Sequence, residues 1–128
     1  YSYGFSASTD QALSIPIDGS VCGTAWSNQK PMVAIGAQQV KATLKAYPHI
    51  QAKLDQNIQW ILSVPIVNGD ETAFVINIDS NTKLLDYQQQ SDSNKSEVAK
   101  FLSDIAGIAT ITGKNTLESI LNLEGESK

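Results

Sequence analysis

The chain contains no arginine, only one cysteine and only one histidine among its 128 residues. Arginine supplies the planar fork that grips phosphates and guanine edges. The nine basic residues are all lysines and are scattered through a chain of net charge −4, so we expect no nucleic-acid binding. A single cysteine excludes an internal disulfide and suits a reducing compartment, which favours a cytoplasmic protein. No apolar run reaches about eighteen residues, so we expect no membrane-spanning segment.

The first half of the chain shows strand-like alternation followed by helical spacing. Alternating apolar residues predict strands over residues 1–7 and 12–18. Asp18 is then expected to cap a short helix whose inward face carries Val21, Cys22, Ala25 and Trp26. The run "MVAI" predicts a short strand over residues 32–35, and a second helix is expected from Gly36 to about residue 45.

The strongest signal is an antiparallel hairpin in the middle of the chain. Its apolar residues alternate without a break: Ile58, Trp60, Leu62, Val64 and Ile66, and then Phe74, Ile76 and Ile78. Between the two runs, Asn68-Gly69 predicts a type I′ turn. A third strand is predicted over residues 82–88.

The last part of the chain predicts two helices. Asn94 with Glu97 resembles a capping pair, and Gly113 is expected to end the helix that follows. Asn115 and Glu118 repeat the capping pattern before a shorter apolar face over residues 117–123. Together these elements predict an α+β fold with a central antiparallel sheet and helices packed on it.

Two motifs resemble the GAF family. They are "GSVCGTAWSNQKPMVA" at residues 19–34 and "QWILSVPIVNGDETAFVINIDS" at residues 59–80, in the expected order and spacing. The resemblance implies a GAF/PAS-like fold, usually of six strands, with a ligand pocket on one side of the sheet. The family usually begins with a helix and a further strand, which we expect this chain to lack. We therefore expect residues 1–128 to form one GAF-like domain, as a fragment of a longer protein.

The resemblance also implies a function. GAF domains mostly bind small molecules and relay the signal to an attached output domain, often as dimers, so we expect a non-catalytic sensory or regulatory domain. Tyr47 and His49 lie in the segment where the family builds its lid. With Trp26 they are the predicted ligand-binding residues. No catalytic residue, metal site or particular cofactor is predicted.

Two alternatives remain open at this stage. One is a ligand-free dimerisation or protein-interaction module. The other is a thiol redox enzyme or sensor that uses Cys22, because a helix N-terminus favours the ionised thiol. The family includes a reductase of free methionine sulfoxide whose disulfide cycle needs two cysteines, and this chain has only one. The spacing favours Cys22 as a packed, inert residue.

Overall fold

The computed structural model describes residues 19–43, 48–52, 57–84 and 92–126. Within them the chain is α+β, with a three-stranded antiparallel sheet and helices on both of its faces, which confirms the predicted fold class. The elements in chain order are α1 Val21–Asn28, β1 Met32–Ile35, α2 Ala37–Ala42, α3 Pro48–Gln51, β2 Trp60–Asn68, β3 Glu71–Ser80 and α4 Asp92–Glu126. The predicted strands over residues 1–7 and 12–18 lie outside the described residues.

The central hairpin is confirmed, and its turn lies one residue later than predicted. Asn68 still pairs with Glu71, so the two-residue loop is Gly69-Asp70. Gly69 has φ +64°, whereas Asp70 is not among the described residues with positive φ. Glycine with positive φ at the first loop position is typical of a type II′ turn, which fits the twist of the flanking strands as type I′ does.

Strand β2 lies between β1 and β3 and tolerates a proline. Strand β1 pairs with β2 only from Trp60 to Ser63, so Pro65 lies beyond the end of β1. Because proline has no N–H to donate, its place in a central strand depends on this unpaired side.

One face of the sheet is covered by α4. Trp60, Leu62, Val64 and Ile66 alternate along β2 toward this helix and form the main core with Val98, Leu102 and Ala109. Helix α4 does not end at Gly113, as was predicted, but continues to Glu126. A Cβ at Gly113 would lie 2.3 Å from Cδ1 of Ile66, so the glycine permits the helix to lie close to the sheet.

The other face is covered by α1 and α2 and holds a smaller core of Ala34, Val40 and Ile58. Ser63 points to this side from β2, is fully buried, and donates its hydroxyl to Oδ1 of Asn77 on β3. The sheet is therefore apolar toward α4 and partly polar toward α1.

Several predicted boundaries are wrong. The N-cap of α1 is Ser20 rather than Asp18, which lies outside the described residues. Helix α2 ends at Ala42, earlier than predicted, and α4 begins at Asp92, before the predicted cap Asn94. Residues 82–84 form no strand, and residues 85–88 of the predicted third strand are not described.

Within the ranges given above, no helix combines the length and the apolar character needed to span a bilayer.

Candidate functional site

The first turn of α1 is held by side-chain and backbone bonds at Ser20. Its Oγ accepts a hydrogen bond from the Gly23 N–H at 2.9 Å, which satisfies one of the donors left free at a helix start. The carbonyl of Ser20 accepts from the Thr24 N–H at 3.0 Å and from Thr24 Oγ1 at 2.8 Å. Gly19, with φ +81°, turns the chain into this position. The turn is thus fixed by short-range bonds and by the burial of Ser20.

Cys22 is the second residue of α1, and its Sγ lies 3.5 Å from Oγ of Ser20. Either atom can be the donor in this contact. The free thiol is half-buried rather than enclosed. Helix N-termini carry a partial positive charge from the peptide dipoles, which stabilises an anion placed there. The first turn of α1 therefore places the sulfur near the positive end of the helix, with one hydroxyl beside it.

The prediction of which α1 residues face inward is only partly correct. Ala25 is fully buried, but Val21 and Cys22 are half-buried and Trp26 is 40% exposed. The interpretation of Cys22 as a sulfur hidden among carbon neighbours is thus wrong. Helical spacing indicated which residues share a face, but it could not show how much of that face the sheet covers.

An open groove of about 370 Å³ lies beside this turn, between α1, β1 and α2. It is lined by Gly19, Ser20, Val21, Thr24, Met32, Val33, Ala34, Gln39, Ala42 and Thr43. Cys22 is not one of the lining residues, but Ser20, which its sulfur contacts, is. A reactant seated in the groove would therefore lie next to the turn that carries the thiol.

Two hydrogen bonds shape the rim of the groove. Oε1 of Gln39 accepts from the N–H of Ile35 at 2.9 Å and so joins α2 to the end of β1. Gln51 Nε2 donates to the carbonyl of Thr43 at 2.9 Å and joins α3 to the end of α2. Sequence reasoning missed these two glutamines because neither lies in a recognisable motif. Their role depends on contacts between neighbouring elements of the fold.

The predicted ligand-binding residues are not brought together around this groove. Trp26 lies in the second half of α1, where its carbonyl accepts from Thr72 Oγ1 at 2.8 Å, and His49 is exposed on α3. Tyr47 lies outside the described residues. Neither Trp26 nor His49 lines the groove, and their role in ligand binding stays a prediction.

No metal site is formed by the part of the chain that is described: it contains no group of three or more His, Cys, Asp or Glu side chains placed to hold an ion.

No family model and no curated protein matches the chain. It is similar to solved structures of fRMsr, free methionine-R-sulfoxide reductase, of Staphylococcus aureus. The reduced form is 26% identical over 73% of this chain and 53% of that one, with a TM-score of 0.42. The complex with substrate is 26% identical over 82% and 58%, with a TM-score of 0.44. The present chain thus spans somewhat more than half the length of the structures it resembles.

These comparisons correct the expected function. The expectation of a non-catalytic sensory domain in signal transduction finds no support in them, since both solved structures are of a reductase, and it is withdrawn. At these TM-scores the likeness assigns no activity to the present chain. Any such assignment must come from the chain's own residues.

Proposed function

We propose that this chain is a thiol redox protein in which Cys22 is the reacting group. The observation that carries the proposal is the position of its sulfur: in the first turn of α1, half-exposed, and 3.5 Å from Oγ of Ser20. The thiolate is the reactive form of cysteine, and a helix N-terminus stabilises it. The Ser20 hydroxyl can donate a hydrogen bond to the anion.

The first step is oxygen transfer from a two-electron oxidant, a peroxide or a sulfoxide. A sulfur–oxygen bond forms at Cys22 as the O–O or S=O bond of the oxidant breaks. The thiol becomes a sulfenic acid, and the oxidant is reduced to an alcohol, water or a thioether. The open groove beside Ser20 gives room for a small oxidant.

The second step needs a thiol from outside the chain, because Cys22 is its only cysteine. A low-molecular-weight thiol attacks the sulfenic acid, which releases water and leaves a mixed disulfide. A second molecule of that thiol then attacks the mixed disulfide, which regenerates Cys22 and releases the oxidised small thiol. In this respect the cycle differs from one that closes an internal disulfide between two cysteines.

The test begins with the reduced protein and stoichiometric hydrogen peroxide or free methionine sulfoxide, with dimedone present to trap a sulfenic acid. Intact-protein mass spectrometry should show one dimedone adduct on the native chain and none on Cys22→Ser. With excess glutathione, the native chain should also produce oxidised glutathione faster than Cys22→Ser does with the same oxidant.

The rate of alkylation is the decisive control. Native Cys22 should react with iodoacetamide at neutral pH faster than the same chain unfolded in urea, because only the folded chain has the helix N-terminus. A slower reaction in the folded chain, together with no dimedone adduct, would contradict the proposal.

We also propose that the domain is GAF-like and works in the cytoplasm. Support for the first comes from the two motifs, which occupy α1 with β1 and the β2–β3 hairpin in the expected order. Support for the second comes from the single free thiol, which suits a reducing compartment.

A further inference from the structure

The tip of the β2–β3 hairpin carries the pair Asn68-Gly69, which the proposed thiol chemistry does not use. Asn68 is the last residue of β2 and is exposed, and Gly69 begins the two-residue loop with φ +64°. An asparagine followed by glycine can react with its own backbone, because the next backbone nitrogen lies close to the side-chain carbonyl carbon and glycine has no side chain to shield it. Of the asparagines in the sequence, only Asn68 precedes a glycine.

Neither of the two groups that would react is held by a hydrogen bond within the described part of the chain. The side-chain amide of Asn68 makes none there, and the N–H of Gly69 donates none. A Cβ built on Gly69 would meet nothing within 4 Å, so no neighbouring atom crowds the loop. The two groups are therefore free to approach each other while the hairpin stays folded.

Asn77 shows the opposite arrangement in the same hairpin. Its Oδ1 accepts a hydrogen bond from the buried hydroxyl of Ser63, and it pairs with Ser63 in the middle of the ladder. The residue after it is Ile78, whose β-branched side chain is stiff and crowds the backbone nitrogen. The fold therefore protects Asn77 and leaves Asn68 open to reaction.

We propose that Asn68 is a site of spontaneous deamidation. The Gly69 nitrogen attacks Cγ of Asn68 and forms a carbon–nitrogen bond, while the side-chain nitrogen leaves as ammonia together with the proton of the Gly69 N–H. Water then opens the resulting succinimide ring. Opening at the side-chain carbonyl gives aspartate, whereas opening at the backbone carbonyl gives isoaspartate, in which the main chain runs through Cβ and Cγ.

The isoaspartate product weakens the link between the hairpin and α1. At present the carbonyl of Asp70 accepts from Gln29 Nε2 at 2.8 Å, and Thr72 Oγ1 donates to the carbonyl of Trp26 at 2.8 Å. An added main-chain carbon in the turn moves the loop out of register with β2. The new carboxylate also lies beside those of Asp70 and Glu71, and like charges repel each other. The end of α1 is therefore held less firmly after the modification.

The test incubates the folded native chain in mildly alkaline buffer and follows each asparagine by peptide mapping with mass spectrometry. Asn68 should convert to aspartate and isoaspartate at a rate within an order of magnitude of that in the chain unfolded in urea, because the reaction does not wait for the hairpin to open. Asn77 should stay an amide in the folded chain. Asn68→Gln has a longer side chain that closes a ring far more slowly, so it should yield no isoaspartate at this position over the same period.

Two results would overturn the proposal. One is a folded chain that keeps Asn68 intact over a period in which the unfolded chain converts it. The other is a folded chain that converts Asn77 as fast as Asn68. Cys22→Ser should deamidate like the native chain, which separates this inference from the proposed thiol chemistry.

The effect on α1 is tested with two forms of equal charge. The isoaspartate form is purified from the incubated chain by ion exchange and identified by isoaspartate-specific methylation, and Asn68→Asp provides the same charge without the added main-chain carbon. Backbone amides at the end of α1 should exchange hydrogen faster in the isoaspartate form than in Asn68→Asp. Equal exchange in the two forms would contradict the proposed weakening of the link to α1.

Discussion

The two faces of the sheet differ in how completely they are covered. Toward α4, four residues of β2 form a continuous apolar core with Val98, Leu102 and Ala109. Toward α1 and α2, the described part of the chain shows a smaller buried cluster of three residues, Ser63 adds a buried hydroxyl, and the groove of about 370 Å³ is larger than one of about 250 Å³ beside α4. We infer that the α4 face supplies most of the stability, whereas the α1 face leaves room for a reactant beside the turn that carries Cys22.

The largest expected difference between the two faces is in the free energy of unfolding that is lost when a core side chain is replaced by alanine. Leu102→Ala on the α4 face should lower the free energy of unfolding by about 3 kcal/mol, because it removes buried methyl groups and leaves a cavity. Val40→Ala on the other face should cost roughly half as much, since fewer carbon atoms are lost from a smaller buried cluster. Urea unfolding measures both. An equal or larger loss at Val40 would refute the proposed division of stability.

Gly107 and Gly113 of α4 provide a comparison within one helix. Gly113→Ala should destabilise the chain by about 1–2 kcal/mol, because the new methyl group overlaps Ile66 in the packed core. Gly107→Ala should instead stabilise it by up to about 1 kcal/mol, because alanine favours the helix and meets no atom. Thermal unfolding of dilute protein measures both. The same sign at both positions would contradict the close approach of α4 to the sheet.

The smallest expected effect distinguishes two roles of the Ser20 hydroxyl, which are capping α1 and contacting the thiol of Cys22. Ser20→Ala should cost about 1 kcal/mol of stability, whereas Ser20→Gly should cost only a few tenths, because glycine is accepted at an N-cap. Both variants remove the hydroxyl beside Sγ of Cys22, so both should slow the alkylation of Cys22 by iodoacetamide to a similar degree. If the alkylation rate followed stability rather than the loss of the hydroxyl, Ser20 would act only as a cap.

Local sequence patterns predicted the parts of the fold that local physics controls. Strand β1 occurs at the predicted residues 32–35, and the alternation from Trp60 to Ile66 gave both the hairpin and its apolar face. A strand repeats every two residues, so these patterns are readable without knowing any neighbour.

The candidate site was less predictable. Cys22 was expected in the core, and the hydrogen bonds made by Gln39 and Gln51 were not expected. The exposure of a helical side chain depends on which elements cover it, and hydrogen bonds between helices leave no periodic signal in the sequence. The predicted sensory role came from a resemblance of motifs, and motifs of one fold can serve different functions.

The sequence by itself determined the antiparallel hairpin and the short strand before it, because alternating spacing reflects short-range geometry. Only the tertiary structure decided that α4 continues through Gly113, since the contact with Ile66 joins residues far apart in the chain. It also decided the environment of Cys22. Coverage of α1 depends on how it packs on the three strands of the sheet, and that packing leaves the sulfur half-exposed beside Ser20.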